Sequence, residues 1–305
     1  MHTRRFVILT ALLLVFARQL HAQVKVDVGL TRRLYLLYEP IPITVAITNL
    51  SGHDLTLSDS DQQKWFSFQV TYVSGDEPRI VPPMDVNYKL APLQIPAGET
   101  VKQTVNLTTM YAVQDIGEYH FRASIYVAES NKYTSSMPEE LQISDGRLVW
   151  EQTVGVPEGV NIKGTHRTWS LLKFRQPKFE VLYVRVEDKD SGIIYTTSPV
   201  GPLIGGVEPT YMLDKDNLLH VMELIGPKMF VYTRIGLNGE IYNQVTYSAA
   251  NSRPVLKKDA EGEVYVEGGQ VFPAGGPETA AAPGPASPGD AKLSERPANF
   301  APSQQ

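Results

Sequence analysis

A strand–turn–strand pattern occurs twice in the second half of this chain of 305 residues. The first copy has an apolar strand at residues 182–186 and a turn at Gly192, and the second has a strand at residues 231–235 and a turn at Gly239. Each strand contains a Tyr-x-Arg sequence, and the copies are roughly 50 residues apart, within the range of known structural repeats. A repeat of this length that is built from strands indicates stacked or radially arranged β-units rather than one irregular domain.

The chain between residues 24 and 272 has the pattern of β-strands throughout. Apolar and polar residues alternate in several segments, as at Ile43, Val45 and Ile47. This alternation is typical of half-buried antiparallel strands, and turns rich in Gly, Pro and Asp separate the segments at intervals of roughly ten residues. No long segment has the period of about 3.6 residues that marks a helix. The sequence therefore predicts an all-β protein.

Two segments in the first half resemble parts of bacterial immunoglobulin-like β-sandwich modules. In residues 115–123 the order Asp-x-Gly-x-Tyr-x-Phe-x-Ala resembles the tyrosine corner of such sandwiches, with Tyr119 as the corner residue. Residues 39–49 resemble the second strand of these modules. The resemblance implies an Ig-like β-sandwich over residues 24–154. It implies no specific activity, because unrelated functions share this fold.

The second predicted domain, residues 160–272, follows a linker predicted at residues 155–159 and contains the repeat. Each copy can be divided into four short antiparallel strands, the first copy over residues 169–213 and the second over residues 218–256, and this order of strands and turns resembles the blades of sialidase-like β-propellers. About two units are present, whereas a closed ring needs about four blades or more. Either two four-stranded sheets pack face to face, which we favour, or several subunits together assemble a closed propeller. The sequence therefore predicts a C-terminal antiparallel β domain of about two blade-like repeats.

The N-terminus has the pattern of an export signal. Arg4 and Arg5 precede an apolar run at residues 6–17, and Ala22 is the expected last residue before cleavage. The run is shorter than the ~20 residues that a membrane-spanning helix needs. Residues 1–22 are therefore predicted to be a cleaved signal peptide, with retention as an N-terminal anchor as the alternative. The protein is accordingly predicted to be exported, to the periplasm or the extracellular space.

The composition argues against several classes of chemistry and partner. The chain has no Cys, so it cannot form disulfides, use a thiolate nucleophile or bind a metal through Cys. Its net charge of −5 argues against nucleic acid as a partner, since phosphate binding needs a basic surface. After residue 22, no segment is long and apolar enough to cross a membrane. Residues 273–305 are rich in Ala, Pro and Gly, and are predicted to be a disordered tail.

Four side chains of the repeat form the candidate binding site. By strand alternation, Tyr183 and Arg185 share one face of the first strand, and Tyr232 and Arg234 share the corresponding face of the second. Aromatic rings and guanidinium groups are common in binding interfaces. This face is therefore predicted to contact a protein or glycan partner. The alternative is that the four side chains cover the outer surface of a sheet and stack on one another.

The sequence contains no local motif for catalysis or metal binding. No histidine after the signal lies in a Gly-x-Ser-x-Gly motif or is paired with another at metal-ligand spacing. These histidines are His53, His120, His166 and His220. Closely spaced acids, such as Asp188 and Asp190, are more typical of turns in which Asp bonds its own backbone than of calcium loops. We therefore predict no cofactor, no metal and no enzymatic activity.

These observations together predict an exported, non-catalytic binding or structural protein whose partner is unknown. One alternative is a polysaccharide-active hydrolase on a sialidase-like scaffold, which the resemblance of the repeat implies. The other is an Ig-like protease inhibitor, which the resemblance of the first domain implies. In the inhibitor, the Pro-rich loop at residues 77–88 would be the reactive element.

Overall fold

The computed structural model describes residues 24–74, 77–84, 88–156, 166–204 and 206–272. Three sequence predictions lie outside these residues. They are the signal peptide at 1–22, residues 157–159 of the linker, and the tail at 273–305.

Contacts within the chain divide it into two units. Among the described residues, the first unit contains those up to Tyr35 together with Pro40–Ile143, and the second contains Leu36–Glu39 together with those from Ser144 onwards. The second unit is therefore discontinuous in sequence. The sequence, in contrast, predicts contiguous domains at 24–154 and 160–272.

The first half of the described chain consists of short antiparallel strands and one helical turn. The elements are β1 (Val24–Leu30), β2 (Leu34–Leu36), β3 (Pro42–Asn49), β4 (Leu55–Leu57), β5 (Phe66–Ser74), β6 (Glu77–Ile80), β7 (Leu93–Ile95), β8 (Thr100–Asn106), α1 (Leu107–Met110), β9 (Gly117–Val127), β10 (Lys132–Ser135) and β11 (Glu139–Ser144).

These strands form two main sheets. The smaller has the order β1-β3-β8, and the larger has the order β2-β11-β9-β5-β6, with β10 also paired to β9. A separate two-stranded sheet joins β4 and β7. β1 of the smaller sheet contacts β9 and β10 of the larger one. On β3 the predicted apolar positions Ile43, Val45 and Ile47 are all buried, so the alternation correctly identified the inward face.

Tyr119 closes the turn that precedes β9. Its hydroxyl accepts a hydrogen bond from the Asp115 backbone N–H and donates one to the Asp115 carbonyl, each at 3.0 Å. Burial raises the pKa of Tyr119 to about 12. Gly117 has a φ of +148°, and a Cβ there would lie 2.6 Å from the ring of Tyr72, so the turn needs a glycine.

The second unit contains two larger sheets and one small one. Its strands are β12 (Arg147–Gly155), β13 (His166–Arg175), β14 (Glu180–Asp188), β15 (Ile193–Leu203), β16 (Thr210–Leu213), β17 (Leu219–Gly226), β18 (Met229–Ile235), β19 (Ile241–Ser248), β20 (Val255–Lys258), β21 (Val264–Glu267) and β22 (Gln270–Val271). The sheet orders are β12-β13-β14-β15, β16-β17-β18-β19-β22 and β20-β21.

Each of the two larger sheets begins with four consecutive antiparallel strands, which is the arrangement of a propeller blade. The structure thus confirms an all-β protein with blade-like repeats. Each blade starts one strand earlier than predicted. β12 opens the first sheet, although its residues were predicted to close the first domain, and β16 opens the second sheet rather than ending the first. Local patterns identify strands, but they do not show which neighbour a strand will pair with.

The two blade-like sheets share one apolar core. Its largest member is Trp169 on β13, which is fully buried. The other buried members are Leu171, Leu182, Val184, Val186 and Val200 from the first sheet, and Leu219, Val221, Ile235 and Leu237 from the second sheet or the turn that follows β18. A second cluster, on the opposite face of the second sheet, consists of Met222, Phe230, Tyr232 and Leu256. β18 therefore has buried side chains on both of its faces. Among the described residues, no helix has the length and apolar character needed to cross a membrane.

Candidate functional site

The four predicted site residues occupy equivalent places in the two blades. Tyr183 and Arg185 lie on β14, and Tyr232 and Arg234 lie on β18. The tyrosines pair across the ladder with Leu172 and Met222, and the arginines with Ser170 and His220. The Tyr and Arg of each copy therefore hold corresponding positions in the strand ladders of their two sheets. The surroundings of the two pairs nevertheless differ.

Tyr183 and Arg185 contact the segment Leu36–Glu39 of the same unit. The Tyr183 side chain is only 1% exposed, and its hydroxyl donates to Glu39 Oε1 at 2.9 Å. Arg185 donates to the Leu37 carbonyl at 2.9 Å, and its guanidinium lies 5.2 Å from the centre of the Tyr38 ring. This pair therefore holds a segment of its own chain, and the Tyr183 ring does not face solvent.

Tyr232 belongs to a chain of three buried polar side chains. Its hydroxyl lies 2.8 Å from His220 Nδ1, and His220 Nε2 lies 3.0 Å from Asp214 Oδ2. The other Asp214 oxygen accepts the backbone N–H groups of Asp216 and Leu218 at 2.9 Å each. Burial raises the pKa of the Tyr232 hydroxyl. The group is internally hydrogen-bonded and buried, which is the behaviour of polar residues that support a fold.

Arg234 is exposed and stacks on the ring of Tyr242, which is not one of the four predicted site residues. Its guanidinium lies 5.7 Å from the centre of the Tyr242 ring. Tyr242 is 56% exposed and follows Ile241, which is 45% exposed. The Tyr242 ring passes so close to Gly236 that a Cβ there would lie 2.7 Å from it. The Arg234–Tyr242 pair is therefore an exposed cationic and aromatic surface on the second blade.

The sequence did carry a signal for Tyr242. The second copy of the repeat places this residue three positions after the turn glycine Gly239, as Tyr195 follows Gly192 in the first copy. The structure treats the two rings differently. The Tyr195 ring lies 4.2 Å from the buried Arg167 guanidinium, whereas Tyr242 accompanies an exposed arginine. Burial of the partner arginine distinguishes the two cases, and that is a property of tertiary packing.

The closely spaced acids close turns. Asp188 Oδ1 accepts the backbone N–H groups of Asp190 and Ser191 at 2.9 and 3.0 Å, and its Oδ2 accepts from Arg167 at 3.2 Å. Asp214 has the same kind of backbone bonds in the second blade. These carboxylates are therefore engaged in the turn geometry that was weighed against calcium binding.

Each of the four histidines lies next to a carboxylate. The pairs are His53–Glu129 at 2.9 Å, His120–Glu118 at 2.6 Å, His166–Asp190 at 3.0 Å and His220–Asp214 at 3.0 Å. The hydrogen bond that the His53 ring donates to the Glu129 carboxylate raises the pKa of His53. His120 has a second acid within reach, Glu140. Of the residues that the structure describes, Glu118, His120 and Glu140 form the one group whose side chains could share a metal ion.

A shallow pocket of about 220 Å³ lies in the first unit. Its wall includes Phe66, Met110 and Tyr111. This volume is below the roughly 300–1,000 Å³ of typical small-molecule sites. The nearby predicted inhibitor loop begins as the edge strand β6, and Val81 is then buried, with its N–H donating to the Val70 carbonyl at 2.9 Å. The start of that loop is thus held against the sheet.

The sequence matches no protein-family model and none of the curated proteins with which it was compared. The solved structures that this chain resembles include two with low TM-scores. An alkylpurine DNA glycosylase from Pseudomonas fluorescens, bound to DNA containing an abasic site analogue, is 14% identical with a TM-score of 0.26, over 43% of this chain and 33% of that chain. A sporulation control protein from Bacillus subtilis is 12% identical with a TM-score of 0.27, over 57% of this chain and 83% of that chain. This chain spans about a third of the glycosylase, and at these TM-scores neither likeness carries an argument.

Proposed function

We propose that this protein is an exported, non-catalytic binding protein that contacts a protein or glycan through the Arg234–Tyr242 surface. The observation that carries the proposal is the exposed stacking of Arg234 on Tyr242. Exposed aromatic and arginine side chains are over-represented among residues that dominate binding energy.

The chemistry of this surface suits either class of partner. An exposed tyrosine ring can pack against the C–H face of a sugar or against an apolar side chain, at low cost in side-chain entropy. The guanidinium adds forked hydrogen bonds to a carboxylate. Because Arg234 and Tyr242 already stack, less side-chain motion must be lost when a partner binds.

The surroundings of the polar groups support a non-catalytic role. The Asp214–His220–Tyr232 chain is buried and satisfied internally, and the Asp188 carboxylate holds a turn. A catalytic site typically combines such groups with a substantial concave pocket. The pocket in the first unit is small, and these groups do not line it.

A binding experiment tests the proposal directly. Partners would first be captured by cross-linking in the exported fraction and by glycan arrays, and then affinities would be compared for Arg234→Ala and Tyr242→Ala. We expect each variant to lose about tenfold or more, as hot-spot residues do. The matched control is Arg79→Ala, because Arg79 also stacks on an aromatic ring, 5.2 Å from the centre of Tyr72, in the first unit.

Three outcomes would contradict the proposal. If folded Arg234→Ala and Tyr242→Ala variants bind the captured partner as tightly as the parent protein, the Arg234–Tyr242 surface is not the binding site. Turnover of a polysaccharide or another substrate would remove the non-catalytic assignment. Recovery of the protein from the cytoplasm with residues 1–22 intact would refute the proposal that the protein is exported.

We also infer that the first unit is an Ig-like β-sandwich. The hydroxyl of Tyr119 bonds back to the Asp115 backbone, as in a tyrosine corner, and the unit contains two main antiparallel sheets. An experimental structure of this unit in which those two sheets do not face each other would contradict the inference.

A further inference from the structure

Two carboxylates and an imidazole meet on the outer face of the larger sheet in the first unit. Glu118 and His120 are two residues apart on β9, so both side chains leave the same face of that strand. Glu140 on β11 is the direct cross-strand partner of His120. Side chains at such paired positions stand next to each other. The register of β9 and β11 therefore brings together three groups that no sequence motif connects.

The donor atoms already lie near the separations that a shared metal ion requires. His120 Nε2 is 2.6 Å from Glu118 Oε1 and 3.9 Å from Glu140 Oε1, and the three residues each offer one ligand atom within 4.8 Å of the other two. Two ligands of a tetrahedral zinc ion, each bound at about 2.0–2.1 Å, are ~3.3 Å apart. Small rotations of these partly exposed side chains would bring the three atoms to that spacing.

We propose that Glu118, His120 and Glu140 bind a zinc ion on the surface of the first unit. An imidazole nitrogen and carboxylate oxygens are ligands that zinc accepts, and three protein ligands leave the fourth position to water. Two carboxylates this close repel each other, and a divalent cation between them converts the repulsion into attraction. The same exposed position lets the ion exchange with solvent.

The sheet supports the three ligands from its other face. The neighbouring residues Tyr119 and Phe121 on β9 and Leu141 on β11 point the other way and are buried. β9 lies between β11 and β5 in the sheet order, so two of the ligands stand on an interior strand. Sites built on well-packed strands keep their geometry better than sites on loops.

Calorimetric titration of the tag-free full chain with Zn²⁺ tests the site. We expect one ion per chain and at least a tenfold loss of affinity in His120→Ala and Glu140→Gln, because losing even an indirect partner of a zinc ligand costs about ten- to a hundredfold. His53→Ala is the matched control. His53 Nε2 also lies 2.9 Å from a carboxylate, that of Glu129, but this exposed pair belongs to no three-ligand group of the described residues.

A second titration with Co²⁺ reports on coordination rather than on stability. Tetrahedral binding should give visible absorption bands that Glu140→Gln weakens and His53→Ala leaves unchanged, while circular dichroism verifies that each variant is folded. The proposal is overturned if the parent protein binds Zn²⁺ no more tightly than His120→Ala. It is equally overturned if His53→Ala loses as much affinity as His120→Ala.

Discussion

Glu223 is buried without a partner. It follows Leu219 and Val221 on the core-facing side of β17, and it is only 1% exposed. Neither carboxylate oxygen has a hydrogen-bond partner, and a Cβ on Gly201 would lie 2.0 Å from Oε1. At the equivalent position of the first blade, Lys173 is also buried, but its ammonium reaches both oxygens of Glu208 at 2.6 Å. Of these two buried ionisable side chains, only Lys173 has a partner of opposite charge.

The stability of the second unit should therefore depend on pH through Glu223. Burial raises the pKa of this carboxyl from 4.5 to about 8, so the folded state holds the proton more tightly than the unfolded chain. The stabilisation that comes from this tighter proton binding is fully present below pH 4.5. Between pH 4.5 and about pH 8, the free energy of unfolding falls by about 1.4 kcal/mol per pH unit. Glu223→Gln cannot ionise and should lack this slope. Urea unfolding of both proteins at pH 5 and pH 8 measures the difference, and an identical pH dependence would refute the assignment.

At the scale of single residues, the sequence located the repeat but not the exposure of its members. Alternation correctly put Tyr183 and Arg185 on one face of β14, yet both faces of this strand are largely covered. Tyrosine and arginine have apolar bodies and polar ends, so they occur on either kind of face. The candidate zinc site shows the same limit. Glu118 and His120 are visible as neighbours in the sequence, but Glu140 joins them only through strand register.

The turn glycines of the two copies, Gly192 and Gly239, have similar backbone angles but different surroundings. Gly192 and Gly239 both have positive φ, +67° and +89°, so alanine at either costs about 1 kcal/mol in backbone strain. A Cβ at Gly192 meets nothing within 4 Å, whereas at Gly239 it would lie 1.9 Å from Thr196 Cγ2 on β15. Gly239→Ala should therefore cost about 1–3 kcal/mol more than Gly192→Ala. Urea unfolding measures both losses, and equal losses would show that the second turn does not pack on the first blade.

Strand existence was easier to predict than strand partnership. The period of two identified β3, where one set of alternate side chains is buried, and the two strands of the repeat identified β14 and β18. The pairing of β12 with β13 was missed. β12 is an edge strand, most of its side chains are exposed, and its ladder contains a register shift between Leu148 and Trp150. Hydrogen bonds between strands involve backbone groups that every residue has, so the sequence gives little information about which edges meet.

In the chain as a whole, the second unit includes a short segment from far upstream in the sequence. Leu36–Glu39 belongs to it, although the residues on either side belong to the first unit. The Glu39 carboxylate is buried, with one oxygen accepting the Leu36 N–H at 3.0 Å and the other accepting the Tyr183 hydroxyl at 2.9 Å. Tyr38 has a φ of +67°, which is uncommon for a residue other than glycine. Contacts across this sequence separation leave no periodic signal, and so contiguous domains were predicted.

Removal of the Glu39 carboxylate should destabilise the second unit selectively. Glu39→Ala deletes two hydrogen bonds to a charged acceptor, each worth about 1.5–3 kcal/mol, so we expect a loss of about 3 kcal/mol or more in the free energy of unfolding. In a Trp65→Phe background the remaining tryptophans, Trp150 and Trp169, lie in the second unit, and their fluorescence then reports that unit alone. The exposed Glu261→Ala is the control and should stay within about 0.5 kcal/mol of the background protein. If Glu39→Ala unfolds at the same urea concentration as Glu261→Ala, the upstream segment contributes nothing to the stability of the blades, and the second unit is held together by the residues from Ser144 onwards.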